Sequence, residues 1–163
     1  MAGILLVAHN DLGNSLVDCV KHVLGAVPNN VRVLSVRAHD DPQQKLAEGH
    51  ALVRQLDKGN GVLILADIYG ATPSNVARQL CRAEHIMGVA GVNLPMLLRV
   101  VCHPSKSMPE LAQIALEGGR ECIVPMNPEE QEQSHRGFCS ASPSCRTEVR
   151  PTKPEWVGFL CDS

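Results

Sequence analysis

The chain has 163 residues and a formal net charge of −2, with 44% apolar and 2% aromatic residues. This length fits one domain, and the apolar share is enough to build a core. The near-neutral charge and the scarcity of aromatic residues argue against a nucleic-acid-binding protein. No apolar run reaches the roughly 18 residues that a bilayer-spanning helix needs, and the first residues carry no basic leader. We therefore expect a cytoplasmic protein.

Secondary structure alternates regularly along the first part of the chain. Apolar runs and closely spaced valines predict four strands, at residues 4–8, 31–36, 62–66 and 86–92. Apolar residues at helical spacing predict five helices, which begin near residues 11, 42, 72, 95 and 107. Residues 122–124 are apolar enough to form one last short strand.

Helix boundaries are marked by capping residues and glycines. Asp41-Pro42 and Thr72-Pro73 each place a capping side chain before a proline, which is typical of a helix start. Ser107 and Glu110 have the spacing of a capping box. The helix that they open is expected to end at Gly118-Gly119.

This alternation predicts an α/β fold with a doubly wound, mostly parallel sheet and helices on both faces. A strand order of 2-1-3-4 reverses between the first and third strands. Ligands of such sheets bind beyond the carboxyl ends of the strands, at that reversal. His9 ends the first strand and Asp67 ends the third. The sequence thus predicts that these two side chains emerge side by side.

The composition changes after residue 126. Residues 1–126 are expected to form the folded domain, and residues 127–163, rich in Pro, Ser, Glu and Arg, a tail with low order. The seven cysteines include no CxxC pair, which leaves a zinc ribbon or a thioredoxin-like motif unsupported. The remaining histidines show no metal-ligand spacing either, so neither a metal nor a cofactor is expected.

His9 and Asp67 together suggest chemistry that neither residue suggests alone. A carboxylate beside a histidine can accept a hydrogen bond from one ring nitrogen, which fixes the tautomer and leaves the other nitrogen as a nucleophile. A lone histidine at a strand end is more often structural, and Asp67 could simply cap the turn that follows it. Both alternatives remain open at this point.

A loop of small residues follows Asp67 and leads into the third helix. The loop contains Gly70, Ala71 and Thr72, and Ser74 lies in the first helical turn. A helix start offers free N–H groups and a positive dipole end to an anion, although a well-capped helix is the simpler interpretation. The loop is neither a Walker motif nor a GxGxxG fingerprint, so ATP and dinucleotide binding are unsupported. A nucleophilic histidine, an orienting aspartate and an anion site indicate a phosphohistidine.

Three motifs resemble one known family. They are GILLVAH at residues 3–9, GVLILAD followed by YGATPSN within residues 61–75, and VAGVNLPML at residues 89–97. In their order and spacing they are similar to the mannose-type IIA domain of the bacterial phosphoenolpyruvate-dependent sugar phosphotransferase system. The resemblance covers roughly residues 2–126, and three motifs matching together form a specific signal.

The resemblance implies a phosphotransferase that works through a phosphohistidine. His9 would accept a phosphoryl group from the phosphocarrier protein HPr and pass it to a IIB protein, and Asp67 would orient His9. Thr72 stands where the family has a Ser or Thr near the phosphoryl group. Asn93 and Pro95 would belong to the wall of the site.

The resemblance also implies an assembly. The family fold has a fifth, antiparallel strand that is often exchanged between two subunits, and residues 121–126 would form it here. A homodimer is therefore expected. Association with a membrane would be indirect, through IIC and IID components of a transporter.

The chain departs from the mannose branch in two respects. Asn10, next to His9 in the wall of the site, replaces a common glycine, and no IIB domain follows within this sequence. The acceptor would then be a separate protein. Three other functions remain open: a regulator controlled by phosphorylation, a phosphotransfer subunit related to dihydroxyacetone kinase, and a flavodoxin-like binder of a nucleotide or flavin.

Overall fold

The protein was analysed as a computed structural model, which describes residues 1–126 of the 163-residue chain. The predicted tail, residues 127–163, lies outside the described residues. The division of the chain at residue 126 therefore stays a prediction.

Four strands alternate with helices along the described chain. The strands are β1 (Gly3–His9), β2 (Val31–Val36), β3 (Val62–Ala66) and β4 (Ile86–Ala90). The helices are α1 (Leu12–Leu24), α2 (Pro42–Leu56), α3 (Thr72–Leu80), α4 (Leu94–Cys102) and α5 (Met108–Glu121). None of these helices is long and apolar enough to span a bilayer.

The sheet confirms the predicted architecture. Its order is β2-β1-β3-β4, and all three pairings are parallel. β1 pairs with β2 so that His9 lies opposite Val36, and with β3 so that Val7 lies opposite Ala66. His9 and Asp67 are thereby brought to the same carboxyl edge by the two inner strands.

Each face of the sheet is covered by its own apolar core. On one face, side chains such as Leu6 and Leu65 pack with residues of α1, α4 and α5. On the other, Val7 and Ile64 pack with residues of α2 and α3. β1 and β3 are buried on both faces because helices cover both, which explains their continuous apolar sequences. The rigid double layer holds the strand ends in place.

Two helix boundaries differ from the predictions. The capping residue of α3 is Ala71 and not Thr72, which is the first helical residue, and no side chain of residues 1–126 caps this helix. α5 does not stop at Gly118-Gly119 but continues to Glu121. These glycines permit close packing: a Cβ on Gly118 would lie 2.8 Å from Cδ of Arg99, and one on Gly119 2.7 Å from Cε of Met96.

The expected fifth strand is absent from the described residues. Glu121 still belongs to α5, and residues 123–126 have no regular structure. α5 takes up Glu121, the first residue of the range assigned to the strand, and the pairing of residues 122–126 with a second subunit stays a prediction. Ile123, Val124 and Met126 follow the helix with 75%, 66% and 89% of their surfaces exposed.

Candidate functional site

His9 and Asp67 form a hydrogen-bonded pair at the edge of the sheet. Nδ1 of His9 lies 2.7 Å from Oδ2 of Asp67, and the backbone N–H of His9 donates to the same oxygen at 2.9 Å. The arrangement follows from the parallel register, since Asp67 comes directly after the residue opposite Val7. One carboxylate oxygen therefore holds both the main chain and the ring of His9.

Both oxygens of the Asp67 carboxylate accept hydrogen bonds from the protein. Its other oxygen, Oδ1, accepts the backbone N–H of Ile68 at 2.8 Å, and only 8% of the side chain is exposed. Burial alone would raise the pKa of Asp67, but the N–H and ring hydrogen bonds from His9 and the N–H bond from Ile68 outweigh it and lower this pKa. Asp67 therefore stays ionised, and its carboxylate can accept a hydrogen bond from the N–H at Nδ1 of His9.

The second ring nitrogen of His9 has no hydrogen-bond partner among residues 1–126. Because the Asp67 carboxylate accepts from Nδ1, the neutral ring carries its proton there and keeps a lone pair on Nε2. The side chain is 44% exposed and lines a cleft of about 420 Å³. The geometry leaves Nε2 as the nitrogen that can react.

Asn10 has a backbone conformation that few side chains adopt. Its φ is 49°, in the left-handed region, and its N–H donates to the oxygen of Val36 at 3.0 Å. Asparagine tolerates this conformation better than most residues, which explains how it can replace glycine directly after His9. Asn10 also lines the cleft that contains His9.

The small-residue loop after Asp67 divides into two parts. Gly70, with φ of 88°, donates its N–H to Oγ of Ser74 at 2.9 Å, and this hydroxyl donates to the oxygen of Ala71 at 3.1 Å. Ser74 is 2% exposed, and its single hydroxyl hydrogen is already used. Thr72, by contrast, is exposed and lines the cleft with His9. The geometry favours Thr72, and not Ser74, as a donor to a bound anion.

Asn93 and Pro95 do not line the cleft that residues 1–126 form at His9. The Asn93 side chain caps α4 by accepting the N–H of Met96 at 2.9 Å. Its amide nitrogen donates to the oxygen of Gly119 in α5, also at 2.9 Å. The residue joins two helices, a role that explains asparagine at this position without reference to a ligand.

Arg37 is a cleft residue that the sequence predictions omitted. It lies directly after β2 and lines the cleft with His9 and Thr72. Its position follows from the register, because His9 lies opposite Val36. Once β2 is placed beside β1, the residue after Val36 is an obvious candidate for the same edge.

The fold and the pair of side chains define a class. The chain is a doubly wound α/β protein with a carboxylate-oriented histidine where the strand order reverses. A family model described as the PTS system fructose IIA component, where PTS denotes the phosphotransferase system, matches residues 3–115. The chain belongs to this family.

Relatives of known name agree with this family. The chain is 28% identical over 154 residues to the mannose-specific EIIAB component of Escherichia coli K12, an alignment that covers 93% of this chain and 47% of that protein. It is also 28% identical over 102 residues to the fructose-specific EIIA component of Bacillus subtilis, covering 62% of this chain and 69% of the other. The chain thus spans about half the length of the mannose-specific relative.

Solved structures share the fold. The mannose/sorbose-specific IIA subunit from Enterococcus faecalis superimposes with a TM-score of 0.70 at 24% identity, covering 77% of this chain and 95% of that one. Component EIIA from Streptococcus agalactiae gives 0.68 at 24% identity, with coverages of 77% and 97%. Nearly the whole of each IIA chain is therefore matched by the α/β domain described above.

Proposed function

We propose that this protein is a phosphoryl-carrying IIA component, which accepts a phosphoryl group from phospho-HPr on His9 and passes it to a separate IIB protein. The observation that carries the proposal is the 2.7 Å contact between Nδ1 of His9 and Asp67, with Nε2 left open on the cleft. Membership of the IIA family supports HPr as the donor and a IIB protein as the acceptor.

The reaction is a nucleophilic displacement at phosphorus. The lone pair on Nε2 of His9 attacks the phosphoryl group of phospho-HPr, and the new N–P bond forms as the bond to the donor nitrogen breaks. The electron pair of the broken bond returns to the donor imidazole. The phosphorylated ring of His9 gains cationic character while Nδ1 keeps its proton, and the Asp67 carboxylate stabilises it. Transfer to IIB reverses these steps on a new acceptor nitrogen.

The phosphoryl oxygens need donors, which the helix starts can supply. α1 begins at Leu12 and α3 at Thr72, and no side chain in the described part of the chain caps either helix. Their first-turn N–H groups and positive dipole ends favour an anion in front of them. The Thr72 hydroxyl on the cleft wall adds one more donor. Positioning and electrostatics of this kind supply most of the catalysis in phosphoryl transfer.

The proposal is tested by phosphorylation in vitro. The full chain is incubated with phosphoenolpyruvate, enzyme I and HPr, and its intact mass is measured. We expect one added phosphoryl group, whose site is mapped to His9 by peptide mass spectrometry under alkaline conditions. His22, an exposed histidine on α1, gives the matched control. His22→Ala should be labelled normally and His9→Ala should not; labelling that survives His9→Ala contradicts the proposal.

The acceptor distinguishes a transport component from a regulator. Labelled protein is mixed with purified candidate IIB proteins, and the disappearance of its phosphoryl group is followed. Transfer to a IIB protein supports a role in sugar uptake through IIC and IID, with this chain acting in the cytoplasm. Retention of the label with every IIB protein of the same cell supports phosphorylation-dependent regulation.

A homodimer is part of the same proposal. The exposed apolar residues Ile123, Val124 and Met126 support it, since a short apolar segment after α5 is available to pair with a second subunit. Light scattering of the full chain measures the mass directly. Replacing Ile123 and Val124 with serine should convert a dimer into monomers, while a mass that is monomeric from the start contradicts this part of the proposal.

A further inference from the structure

Arg37 is placed by the sheet at the same edge as His9. The residue before it, Val36, lies opposite His9 in the β1–β2 pairing and accepts the N–H of Asn10 at 3.0 Å. A guanidinium nitrogen of Arg37 lies 4.0 Å from the carboxylate of Asp11, which is two residues after His9. The side chain therefore extends towards the start of α1, on the side of the cleft where His9 lies.

Among residues 1–126, Arg37 is the only lysine or arginine that lines this cleft. The cleft also contains Asp40, whose carboxylate accepts the backbone N–H of Arg37 at 2.8 Å and pairs with Lys45 at 3.6 Å. Lys45 is engaged further by Glu48 at 2.9 Å. Two carboxylates thus hold Lys45, whereas the Arg37 guanidinium is paired only with Asp11 among residues 1–126.

The Arg37 side chain is held weakly, whereas its backbone is fixed. The turn after β2 is closed by the Asp40 N–H donating to the oxygen of Arg37 at 3.1 Å, together with the reciprocal bond to the Asp40 carboxylate. The side chain is 67% exposed, and Asp11, its one ion-pair partner among the described residues, is 75% exposed. A pair this long and this exposed to water contributes little. The guanidinium can exchange it for a better partner at small cost.

A phosphoryl group on His9 creates that better partner. The nonbridging oxygens carry negative charge close to the Asp67 carboxylate, and the two groups repel each other. The uncapped helix starts offset this repulsion only in part, because they carry partial and not full positive charges. Guanidinium binds phosphoryl oxygens through two parallel N–H bonds. We propose that Arg37 is a phosphoryl-binding residue, which holds the nonbridging oxygens while the group moves to and from Nε2 of His9. This inference rests on the proposed function and adds a residue to its site.

The test separates phosphoryl binding from protein docking by using two donors. Phospho-HPr reports on docking and chemistry together, whereas phosphoramidate is too small to contact a docking surface. The rate of His9 phosphorylation is measured with each donor for wild type, Arg37→Gln and Arg37→Lys. We expect Arg37→Gln to be slower by about ten-fold with both donors, as for the loss of one charged hydrogen-bond donor. Arg37→Lys should recover part of the rate.

The matched control is Arg32→Gln. Arg32 is an exposed arginine on β2, near the end of the strand that is remote from Arg37, and does not line the cleft. His9 of the Arg32→Gln variant should be phosphorylated at the wild-type rate by both donors. Thermal unfolding of Arg37→Gln should match wild type, since this side chain is exposed. Arg32→Gln should unfold slightly earlier, because the Arg32 guanidinium donates to the oxygens of Asn29 at 3.0 Å and Val31 at 2.7 Å.

Each outcome decides between the two proposals. If Arg37→Gln is slowed only with phospho-HPr, the residue serves docking and the inference is overturned. If it is labelled by both donors at the wild-type rate, the inference is also overturned while the proposed function stands. If wild type takes up no phosphoryl group from either donor, the proposed function fails and the role of Arg37 fails with it.

Discussion

The helices that follow the inner strands of the sheet begin differently from those that follow the outer strands. α2 and α4, after β2 and β4, are capped by the side chains of Asp41 and Asn93, which accept the N–H groups of Gln43 and Met96 at 2.9 Å. α1 and α3, after β1 and β3, have no side-chain cap from the residues that the structure describes. The side-chain caps of the outer helices stabilise the fold, whereas the inner helices, which follow His9 and Asp67 in the chain, keep first-turn N–H groups without a side-chain acceptor among residues 1–126.

The largest expected effect on activity is that of His9→Ala, in the region of the uncapped helix starts. The variant should lose phosphoryl uptake completely, because no other described side chain offers a nucleophile oriented in the same way. Its free energy of unfolding should change by no more than about 1 kcal/mol, the worth of one partly exposed hydrogen bond. Urea unfolding checks this. A much larger loss would mean that the His9–Asp67 pair is structural.

Asp67→Asn should reduce the rate of His9 phosphorylation by about 100-fold. The amide removes the negative charge that stabilises the phosphorylated ring, and its NH₂ group can favour the wrong ring tautomer. Stopped-flow or quenched labelling with phospho-HPr measures the rate. Asp18→Asn, an exposed position on α1, is the control. Equal rates for the two variants would leave Asp67 without an orienting role.

Asn93→Ala tests the capped region. Loss of the bond to Met96 and of the link to Gly119 should destabilise the protein by about 1–2 kcal/mol. Asn14→Ala, at an exposed position inside α1, should have little effect. The labelling rate with phosphoramidate should stay unchanged for both variants. A reduced rate for Asn93→Ala alone would instead assign this residue to the wall of the site.

The contribution of Asp67 to the free energy of unfolding should depend on pH. Because hydrogen bonding lowers the pKa of Asp67 in the folded state, the carboxylate stabilises the fold above its unfolded pKa of about 4. That stabilisation is lost as the pH falls through the lower, folded pKa. The unfolding free energies of wild type and Asp67→Asn should therefore converge below about pH 4. A difference that stays constant from pH 7 to pH 3 would contradict this linkage.

The smallest expected effects are at Asn10. Asn10→Gly should be neutral or stabilising by a few tenths of a kcal/mol, because glycine adopts its positive φ without strain. Asn10→Ala should destabilise by about 1 kcal/mol. Thermal unfolding distinguishes them. If both variants unfold like wild type, the conformation at Asn10 stores no strain.

Local sequence signals predicted most of the fold because each element is bounded by its own residues. Asp41-Pro42 marks the start of α2, and the apolar run at residues 62–66 marks β3. Neither signal depends on the rest of the chain. Gly118 and Gly119 were misread because glycine marks either a helix end or a close contact, and only the position of α4 decides which.

The site was predicted in part for the same reason. The His9–Asp67 pair follows from two strand ends and one rule about strand order. Arg37 was missed because no local pattern marks it; its importance comes from the pairing of β2 with β1. The role of Ser74 also depends on tertiary geometry, since its hydroxyl closes the turn at Gly70.

The two hydrogen bonds from His9 to Asp67 restrict how partner proteins can bind at the site. One carboxylate oxygen fixes both the main chain and the ring, so the ring cannot swing from a donor towards an acceptor. Under the proposed function, donor and acceptor must then approach the same nitrogen from the same side. They must bind one after the other, and each must leave before the next arrives. Steady-state kinetics should accordingly be ping-pong, with the two partners competing for a single surface.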